Sequence, residues 1–476
     1  MTRRYSRLRA AAPLAVIATL LAGAAPALAQ SFPANPRVDR IFAEYDKPTS
    51  PGCVLGVLRD GRFIYERGYG MANLDYDIPN SPKLVYYVGS VSKQFTAATV
   101  AMLSLQGKLS LDDDVRRYIP ELPDYGTPIT IRNLIHHTSG LRDMYTLMEL
   151  GGLRLEDVLT DEDALALIAR QKELNFKPGT DYLYSNSGYW LLGQIVERVT
   201  GKSLRDAADE LLFQPLGMTH THFHDDPGHI MKWRAMSYEK DDKGGFRISY
   251  VQNFDKIGAG GLYTTMDDLR KWDDNYYTHT VGGEALQKLI HTRGVLANGD
   301  TLMYAFANNI TSYRGLRVTE HGGSMMGYKA ELMRFPDQHF TVALQCNLGA
   351  IQPGGLAQKV AEVYLGSQMG APPAAKAAPA KAAPDAAAAP APADLAAFAG
   401  DYYSPELDAT YRVASDGRQL TLKRPITPVT PLEPTGPDTF KAGMLTLHFV
   451  RDGGAPRAFT VEAGRVRNIR FERKGN

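Results

Sequence analysis

Residues 88–96 read VGSVSKQFT and carry the most informative pattern in the sequence. Ser90 and Lys93 form an S-x-x-K motif at the start of an apolar run that predicts a helix over 91–105, ending at Gly107. Residues i and i+3 share one face of a helix, so the lysine amine would lie beside the serine hydroxyl. A buried lysine has a lowered pKa, and its neutral amine can accept the serine proton. The motif alone has two interpretations of about equal weight. Ser90 is a nucleophile with Lys93 as its base, or Ser90 is a helix N-cap and the Lys93 amine extends to solvent.

The same S-x-x-K spacing occurs a second time, at Ser237 and Lys240. Acidic residues and glycines surround this copy, since residues 239–245 read EKDDKGG. This composition is typical of a solvated turn, in which the lysine stays hydrated and charged. The sequence therefore favours Ser90 over Ser237 as a nucleophile.

Two further motifs follow the first at wide spacing, Tyr184-Ser185-Asn186 and His321-Gly322-Gly323. S-x-x-K, Y-x-N and H-x-G in this order resemble the beta-lactamase-related serine hydrolases. That group includes class C beta-lactamases, DD-peptidases, D-aminopeptidases and family VIII esterases. The resemblance covers residues 46–366 and includes weaker family-like stretches at 135–141 and 258–265. It implies a serine hydrolase that uses neither a metal nor another cofactor.

The resemblance also assigns roles to individual residues. Ser90 would be the nucleophile that forms an acyl-enzyme, and Lys93 would activate it. Tyr184 would act as general base and then as general acid to the leaving group, with Lys93 holding its phenol toward the anion. Asn186 would bond to Lys93 and the substrate amide, and the backbone N–H of Ser324 would complete an oxyanion hole with that of Ser90. The residues implied to bind substrate are Asn186, His321, Gly322, Gly323 and Ser324.

His321 departs from the pattern of many class C beta-lactamases, which carry Lys-Thr-Gly at this place. That lysine is a fixed cation for a substrate carboxylate, whereas a histidine is mostly neutral near pH 7. The sequence therefore predicts hydrolysis of peptides or amides, including those with D-residues from cell wall, or of small esters. The alternatives are a class C-like beta-lactamase and a penicillin-binding or sensor protein that acylates without turnover.

Apolar runs at both ends of the large unit predict strands, and helices are predicted between them. Residues 53–58 and 63–65 form one expected hairpin around Asp60-Gly61, and residues 328–335 and 340–346 form a second. This order predicts an α/β fold with one mixed sheet flanked by helices. The resemblance further implies antiparallel pairing and an all-α subregion, as in beta-lactamases and penicillin-binding proteins.

Composition shifts divide the chain into four parts. Residues 1–29 read as a secretory signal, with four arginines, an apolar stretch over 10–25 and an Ala-Leu-Ala site that predicts cleavage near Ala29. We therefore expect a secreted or periplasmic protein without a stable membrane span, since the apolar stretch is short and contains Pro13. Residues 30–370 would form the hydrolase domain. Residues 371–393, almost entirely Ala and Pro, predict a linker to a domain at 394–476.

The C-terminal domain reads as all-β, with five short strands predicted within 411–471 and Asp-Gly or Ala-Gly turns between them. An antiparallel meander of this kind favours a small closed barrel. Residues 398–403 (FAGDYY) and 449–453 (FVRDG) resemble the lipocalin-like domains appended to some of these hydrolases. The implied roles are control of access to the active site, substrate positioning or oligomerisation. Passive stabilisation is an equally open alternative.

The net charge and the cysteine and histidine residues limit which partners, disulfides and metal sites we expect. A formal net charge of +1 offers no basic field for nucleic acid. The expected partner is a small-molecule or peptide substrate, including peptidoglycan-derived ones. In the resembling family the first and last strands are neighbours, so Cys53 and Cys346 form a hypothetical disulfide. The alternating His220, His222 and His224 could share one face of a strand, but we expect a structural turn there and no metal site.

Overall fold

A computed structural model describes residues 32–249, 255–371, 392–451 and 454–475. The predicted signal peptide at 1–29 with its cleavage site near Ala29, and all but the ends of the predicted linker at 371–393, lie outside the described residues. The residues Ala34–Asn476 form one unit by their contacts. No helix in the described part of the chain is long and apolar enough to cross a membrane.

Most of the helices lie in the middle of the chain. The α-helices are α1 (Pro36–Phe42), α2 (Ser92–Leu105), α3 (Ile131–Ile135), α4 (Met144–Gly151), α5 (Asp161–Ala169), α6 (Asn186–Thr200), α7 (Leu204–Ala208), α8 (Gln214–Leu216), α9 (Met266–Thr278), α10 (Gly283–Ile290), α11 (Pro353–Leu365) and α12 (Pro392–Phe398). Short 3-10 turns lie at Gly89–Val91, Val115–Arg117 and Pro336–Gln338, and a π-helical turn lies at Asp209–Phe213.

Strands lie at both ends of the large unit and throughout the C-terminal part. Those of the large unit are β1 (Cys53–Arg59), β2 (Arg62–Tyr69), β3 (Met71–Asn73), β4 (Ile78–Pro79), β5 (Tyr86–Tyr87), β6 (His222–Phe223), β7 (Tyr238–Lys240), β8 (Phe246–Ile248), β9 (Leu262–Thr264), β10 (Asn309–Tyr313), β11 (Leu316–Met325), β12 (Tyr328–Phe335) and β13 (Phe340–Cys346). Those of the C-terminal part are β14 (Gly400–Ser404), β15 (Ala409–Ser415), β16 (Leu420–Lys423), β17 (Thr430–Gly436), β18 (Thr439–Ala442), β19 (Leu445–Arg451), β20 (Pro456–Ala463) and β21 (Val466–Arg473).

The main sheet has six strands in the order β10-β11-β12-β13-β1-β2, and every neighbouring pair is antiparallel. The predicted hairpin between β1 and β2 closes through Asp60 and Gly61, whose φ angles are 51° and 71°. Positive φ at both central residues is the geometry that makes Asp-Gly a tight hairpin turn. The predicted α/β class, with an antiparallel sheet flanked by helices, is confirmed.

Helix α2 contacts both α6 and α10. Residues from Ser92 through Ala101 of α2 are all buried, including the polar residues Ser92, Lys93, Gln94, Thr96 and Thr99. The predicted helix over 91–105 is confirmed, and a 3-10 turn containing Ser90 precedes it. Ser90 therefore lies directly before the N-terminus of a buried helix.

Cys53 and Cys346 lie directly opposite each other on β1 and β13, and a disulfide joins their sulfurs. Both side chains are fully buried. The bond links the first and last strands of the large unit, 293 residues apart in sequence. The structure thus contains the pairing that the resemblance suggested.

The C-terminal part forms a closed barrel of eight strands, β14 to β21, which confirms the predicted small all-β barrel. Each strand pairs with the next in sequence, and β14 pairs with β21 to close it. The sequence pattern missed β14, β17 and β18. Strand β17 contains Pro431 and Pro434, which argue against a strand because proline cannot donate to a ladder. An interior cluster of aromatic rings fills the barrel, comprising Phe398, Tyr402, Phe449, Phe459 and Phe471.

Candidate active site

A cavity of about 820 Å³ brings the widely spaced motifs together. The 3-10 turn before α2, the start of α6, strand β11, the start of α11 and the turn between β20 and β21 all contribute to its wall. Lys93 lies behind this wall, fully buried. The predicted site residues on the wall itself are Ser90, Tyr184, Asn186, His321, Gly322, Gly323 and Ser324.

The Lys93 amine lies 3.1 Å from the Ser90 hydroxyl oxygen. Its other partners are the side-chain oxygen of Asn186, at 2.9 Å, and the backbone carbonyl of Ala259. Asn186 and Ala259 can only accept here, so a neutral amine would donate its two N–H groups to them. Its lone pair then remains for the Ser90 proton. Three partners around one nitrogen therefore form a site for a base.

Burial holds the pKa of Lys93 well below its usual value. The carboxylate of Asp143 opposes this effect, and the guanidinium of Arg465 adds to it. Desolvation disfavours the charged amine, so the low pKa follows from the buried position at the start of α2. The environment thus favours the neutral, proton-accepting form.

The stretch 258–261 forms the floor beneath the lysine. The Gly258 carbonyl accepts a hydrogen bond of 2.8 Å from Thr96, and the Gly261 N–H donates one of 2.9 Å to the Tyr87 hydroxyl. These bonds hold the intervening Ala259 carbonyl against the Lys93 amine. The sequence marked this stretch as family-like, but a backbone carbonyl ligand leaves no side-chain signal.

Tyr184 lies beside both members of the pair, with its ring centroid 4.9 Å from the Lys93 nitrogen. Its buried hydroxyl has no hydrogen-bond partner of standard geometry in the described part of the structure. Burial raises the pKa of Tyr184, while proximity to Ser90 and Arg465 lowers it. Because burial is the largest effect, the resting residue is a phenol, able to donate a proton.

Asp143 is a buried residue that the motifs did not identify, and it orients Asn186. One carboxylate oxygen accepts hydrogen bonds from the Asn186 backbone N–H, at 2.7 Å, and from its side-chain amide, at 2.8 Å. Fixing the amide nitrogen toward Asp143 turns the amide oxygen toward Lys93. The same carboxylate caps α4 by accepting from the Thr146 N–H at 3.2 Å. Its place two residues after the family-like stretch at 135–141 was the signal available in the sequence.

His321 is buried and lies on β11 with both ring nitrogens occupied. Its Nδ1 is 2.7 Å from the Gly322 carbonyl, which can only accept, so Nδ1 carries the proton. Its Nε2 therefore accepts from the Tyr304 hydroxyl at 3.0 Å. Burial and the nearby Lys93 lower the pKa of His321 to about 4. The ring is neutral, as expected from the histidine substitution, and provides no fixed cation.

Strand β11 approaches the nucleophile turn so closely that only glycines fit at two positions. A Cβ at Gly323 would lie 1.9 Å from the Val88 carbonyl and 3.1 Å from the Ser90 nitrogen. A Cβ at Gly89, where φ is 54°, would lie 2.4 Å from the Ser324 nitrogen. The Ser90 and Ser324 backbones are therefore neighbours, in the arrangement expected of an oxyanion hole.

The barrel contributes Arg465, from the turn between β20 and β21, to the cavity wall. Its guanidinium carbon lies 4.5 Å from the Tyr184 ring centroid, and one of its nitrogens lies 3.8 Å from an oxygen of Asp143. Asn175 holds this turn in place. Its amide donates to the Arg465 carbonyl at 3.0 Å and accepts from the Arg467 N–H at 2.7 Å. No pattern in the sequence indicated that a barrel residue would reach Tyr184.

A buried ion pair anchors the barrel next to this turn. The Arg142 guanidinium lies 2.6 Å from the Glu406 carboxylate, with both side chains nearly inaccessible. It also donates to the backbone carbonyls of Arg467 and Asn468. Arg142 directly precedes Asp143 in the chain, so the residue that anchors the barrel is the neighbour of the residue that orients Asn186.

One expectation for a residue outside the three motifs needs correction. Ser237 is fully buried and donates to the Ser249 carbonyl, so it does not lie in a solvated turn. Lys240 is exposed, however, and the pair forms no site. The two histidines that follow α3 have partners far away in the sequence. His136 lies 3.2 Å from the Thr292 carbonyl, and His137 accepts from the Ser185 N–H and lies 4.1 Å from the Tyr184 ring.

The alternating histidines do not share one face as a set of three. His220 is exposed, and the rings of His222 and His224 group with His229, with centroids 5.6–6.2 Å apart. Over residues 32–249 and the other described ranges, no group of three His, Cys, Asp or Glu is arranged to hold a metal ion.

Comparisons with known proteins agree with the geometry. Residues 38–361 match the Beta-lactamase family. The chain is 29% identical over 416 residues to a D-aminopeptidase of Cereibacter sphaeroides, spanning 87% of this chain and 72% of that protein. An octameric penicillin-binding protein homologue from Pyrococcus abyssi aligns with a TM-score of 0.62 at 23% identity, over 91% of this chain and 98% of that one. A D-amino acid amidase from Ochrobactrum anthropi SV3 aligns with a TM-score of 0.59 at 19% identity, over 70% of this chain and all of that one.

Proposed function

The chain belongs to the Beta-lactamase family and is a serine hydrolase of the peptidase or amidase kind, and we propose that it works through an acyl-enzyme on Ser90. The substrates are amides or peptides, including those with a D-amino acid on the acyl side, or small esters. The observation that carries this proposal is the buried Lys93 amine, 3.1 Å from the Ser90 hydroxyl at the wall of an open cavity.

Acylation begins when the neutral Lys93 amine takes the Ser90 proton as the serine oxygen bonds to the substrate carbonyl carbon. The carbonyl oxygen gains negative charge, and the N–H groups of Ser90 and Ser324 stabilise it. Tyr184 then passes its phenol proton to the leaving nitrogen as the carbon–nitrogen bond breaks. The Lys93 ammonium, 4.9 Å from the ring centroid, stabilises the phenolate that results.

Deacylation restores both groups. Water adds to the acyl carbon and gives one proton to the Tyr184 phenolate. The tetrahedral intermediate collapses as the Ser90 oxygen regains its proton from the Lys93 ammonium, and the carboxylic acid product leaves. Tyr184 thus serves as acid in the first half and as base in the second. Lys93 takes the serine proton first, because burial keeps the resting tyrosine protonated.

The choice of acyl group rests on two supports. Relatives that match this chain over most of its length carry the name D-aminopeptidase, which is a statement about those proteins. The neutral His321 does not itself supply the cation that a lysine at this place would offer to a penicillin carboxylate. We therefore rank D-aminoacyl amides and peptides, then esters, above penicillins.

Export is the second part of the proposal. A protein cut near Ala29 and released to the periplasm or medium would keep the Cys53–Cys346 disulfide, because such compartments are oxidising. N-terminal sequencing of the mature protein from cell fractions tests this. A mature protein that begins at Met1 in the cytoplasm contradicts it.

The decisive experiment is labelling by a fluorophosphonate probe combined with hydrolysis of D-alanine p-nitroanilide. We expect labelling and turnover in the wild type and neither in Ser90→Ala. Lys93→Ala should lose turnover, while Lys240→Ala, the exposed lysine of the other S-x-x-K, should retain it. Full activity in Ser90→Ala would exclude this site.

A penicillin-binding or sensor protein remains the alternative function, and the same material distinguishes it. A stoichiometric burst of label from a fluorescent penicillin without continued product would favour that alternative. Self-association through the barrel also stays a prediction, which light scattering on the purified protein would test. The octameric assembly is a property of the Pyrococcus abyssi homologue.

A further inference from the structure

Glu331 is a buried acid on the cavity wall that the proposed chemistry does not use. It lies on β12, and only 7% of its surface is exposed. One carboxyl oxygen, Oε1, has no hydrogen-bond partner in the described structure. Buried polar atoms are normally satisfied, so an unpartnered carboxyl oxygen beside a substrate cavity points to a ligand group that would pair with it.

Two glycines keep this carboxyl group open to the cavity. Glu331 lies opposite Gly322 of β11 in the strand register, and a Cβ on Gly322 would lie 3.0 Å from its other oxygen, Oε2. A Cβ on Gly354, in the first turn of α11, would lie 3.3 Å from the same oxygen. Both glycines also line the cavity. Side chains at either position would cover the acid, and neither position has one.

The charges around Glu331 come from its own face of the sheet. Glu320 on β11 and Lys329 on β12 share that face by strand alternation. Strand β13 presents Leu344 opposite Glu331, and α11 presents Gly354. Lys329 bonds to the Ser324 hydroxyl, and it lies about 7 Å along the strand from Glu331. Its bond is solvent-exposed, so water and salt screen its charge more than that of the buried acid.

The position of Glu331 corresponds to the leaving-group side of the site. His321 of β11 lies beside Tyr184, with ring centroids 6.3 Å apart, whereas Gly322 and Glu331 belong to the opposite face of the strand pair. All four residues line the same cavity, and Gly322 has no side chain to separate the two parts. Tyr184 is the group proposed to protonate the leaving nitrogen. A substrate placed with that nitrogen at Tyr184 can therefore extend its leaving group past Gly322 to Glu331.

Resting on the function proposed above, we propose that Glu331 forms an acidic leaving-group subsite that selects cationic over anionic leaving groups. A substrate with an ammonium group beyond the scissile amide would pair with the Glu331 carboxylate, whose Oε2 faces the two glycines. A leaving group that ends in a carboxylate, as in a dipeptide or an opened penicillin, would be repelled by Glu331 where that acid is ionised. The subsite and the neutral His321 act in the same direction, against carboxylate-bearing substrates.

The test uses three D-alanine amides with leaving groups of similar size and fixed charge. They are the amides of 2-(trimethylammonio)ethylamine, of its uncharged isostere 3,3-dimethylbutylamine, and of taurine, whose sulfonate is anionic. Release of D-alanine gives kcat/KM for each. At pH 9 we expect the cationic amide to exceed the neutral one by on the order of tenfold, and the sulfonate to be slowest. Glu331→Gln should bring the cation-to-neutral ratio close to one, whereas Lys329→Gln should preserve the cation preference.

The pH dependence of the same ratio needs no mutant and so covers a variant that fails to fold. Burial and the neighbouring Glu320 raise the pKa of Glu331 to about 8, so its charge is present above that pH and lost below it. The wild-type cation preference should therefore be larger at pH 9 than at pH 6.5. Equal ratios in wild type and Glu331→Gln, or a preference for the sulfonate, would overturn the subsite. If none of the three amides is hydrolysed, the proposed function itself fails.

Discussion

The guanidinium carbon of Arg465, on a barrel turn, lies 4.5 Å from the ring centroid of Tyr184, on the wall of the candidate site. The two residues are 281 positions apart, and the barrel that carries Arg465 begins only after the whole hydrolase fold. The barrel is therefore part of the electrostatic environment of Lys93 and Tyr184, the proposed base and acid. The charge of Arg465 also lowers the pKa of Lys93.

Replacing Arg465 with Gln removes a cation that lowers the pKa of both Lys93 and Tyr184. The pKa of Lys93 should rise, so its neutral form should appear at higher pH. We expect the acid limb of the kcat/KM profile to move upward and activity at pH 7 to fall by about five- to tenfold. Arg470→Gln, an exposed arginine on the adjacent strand, is the matched control and should leave the profile in place.

Replacing Asp143 with Asn should move the same limb in the opposite direction. The Asp143 carboxylate raises the pKa of Lys93, so its removal should lower that pKa further and extend the neutral form to lower pH. Activity at the optimum should still fall, because the single amide oxygen of the variant cannot accept both from Asn186 and from the Thr146 N–H. Limbs that shift in the same direction for Asp143→Asn and Arg465→Gln would contradict Lys93 as the titrating base.

Lys93→Arg distinguishes a base from a fixed positive charge. Arginine keeps the charge but does not deprotonate in proteins, so it cannot take the Ser90 proton. We expect kcat to fall by about 10³-fold or more, as measured by single-turnover acylation with a p-nitrophenyl ester. Lys240→Arg should be indistinguishable from wild type. Substantial acylation by Lys93→Arg would assign the lysine an electrostatic role only.

The Cys53–Cys346 disulfide should stabilise the large unit, because it joins strands that the chain separates by 293 residues. We expect the Cys53→Ala/Cys346→Ala variant to lose about 3–5 kcal/mol of unfolding free energy in urea titrations. Wild-type protein unfolded without reductant should show no free thiol on titration. Two titratable thiols would mean that the bond does not form.

The buried Arg142–Glu406 pair should hold the barrel against the site. Arg142→Met leaves the Glu406 carboxylate buried without its cation, a change that typically costs about 3–5 kcal/mol. We expect a lower melting temperature and weaker activity. Arg412→Met breaks an exposed ion pair with Asp401 on the same barrel and should change the melting temperature little. Equal effects of the two variants would show that the barrel is not anchored by Arg142.

Much of the fold and of the candidate site could be predicted from the sequence alone. The S-x-x-K motif needs only helical periodicity to place Lys93 beside Ser90, and the Asp60-Gly61 turn needs only local φ preferences to form its hairpin. The motif order predicted the family, and alternating short runs predicted the barrel. The helix, the hairpin turn and the barrel strands depend on residues close in sequence. The three motifs consist of residue types that few other kinds of active site require.

Tertiary structure decided how the catalytic groups are tuned. The Ala259 carbonyl, Asp143 and Arg465 all act on Lys93, yet one is a backbone atom and the other two lie on segments brought together only by folding. The same holds for the burial of Ser237, which local composition placed in water, and for the proline-containing strand β17. Desolvation and long-range charge depend on which distant segments pack together, and no local pattern in the sequence records that packing.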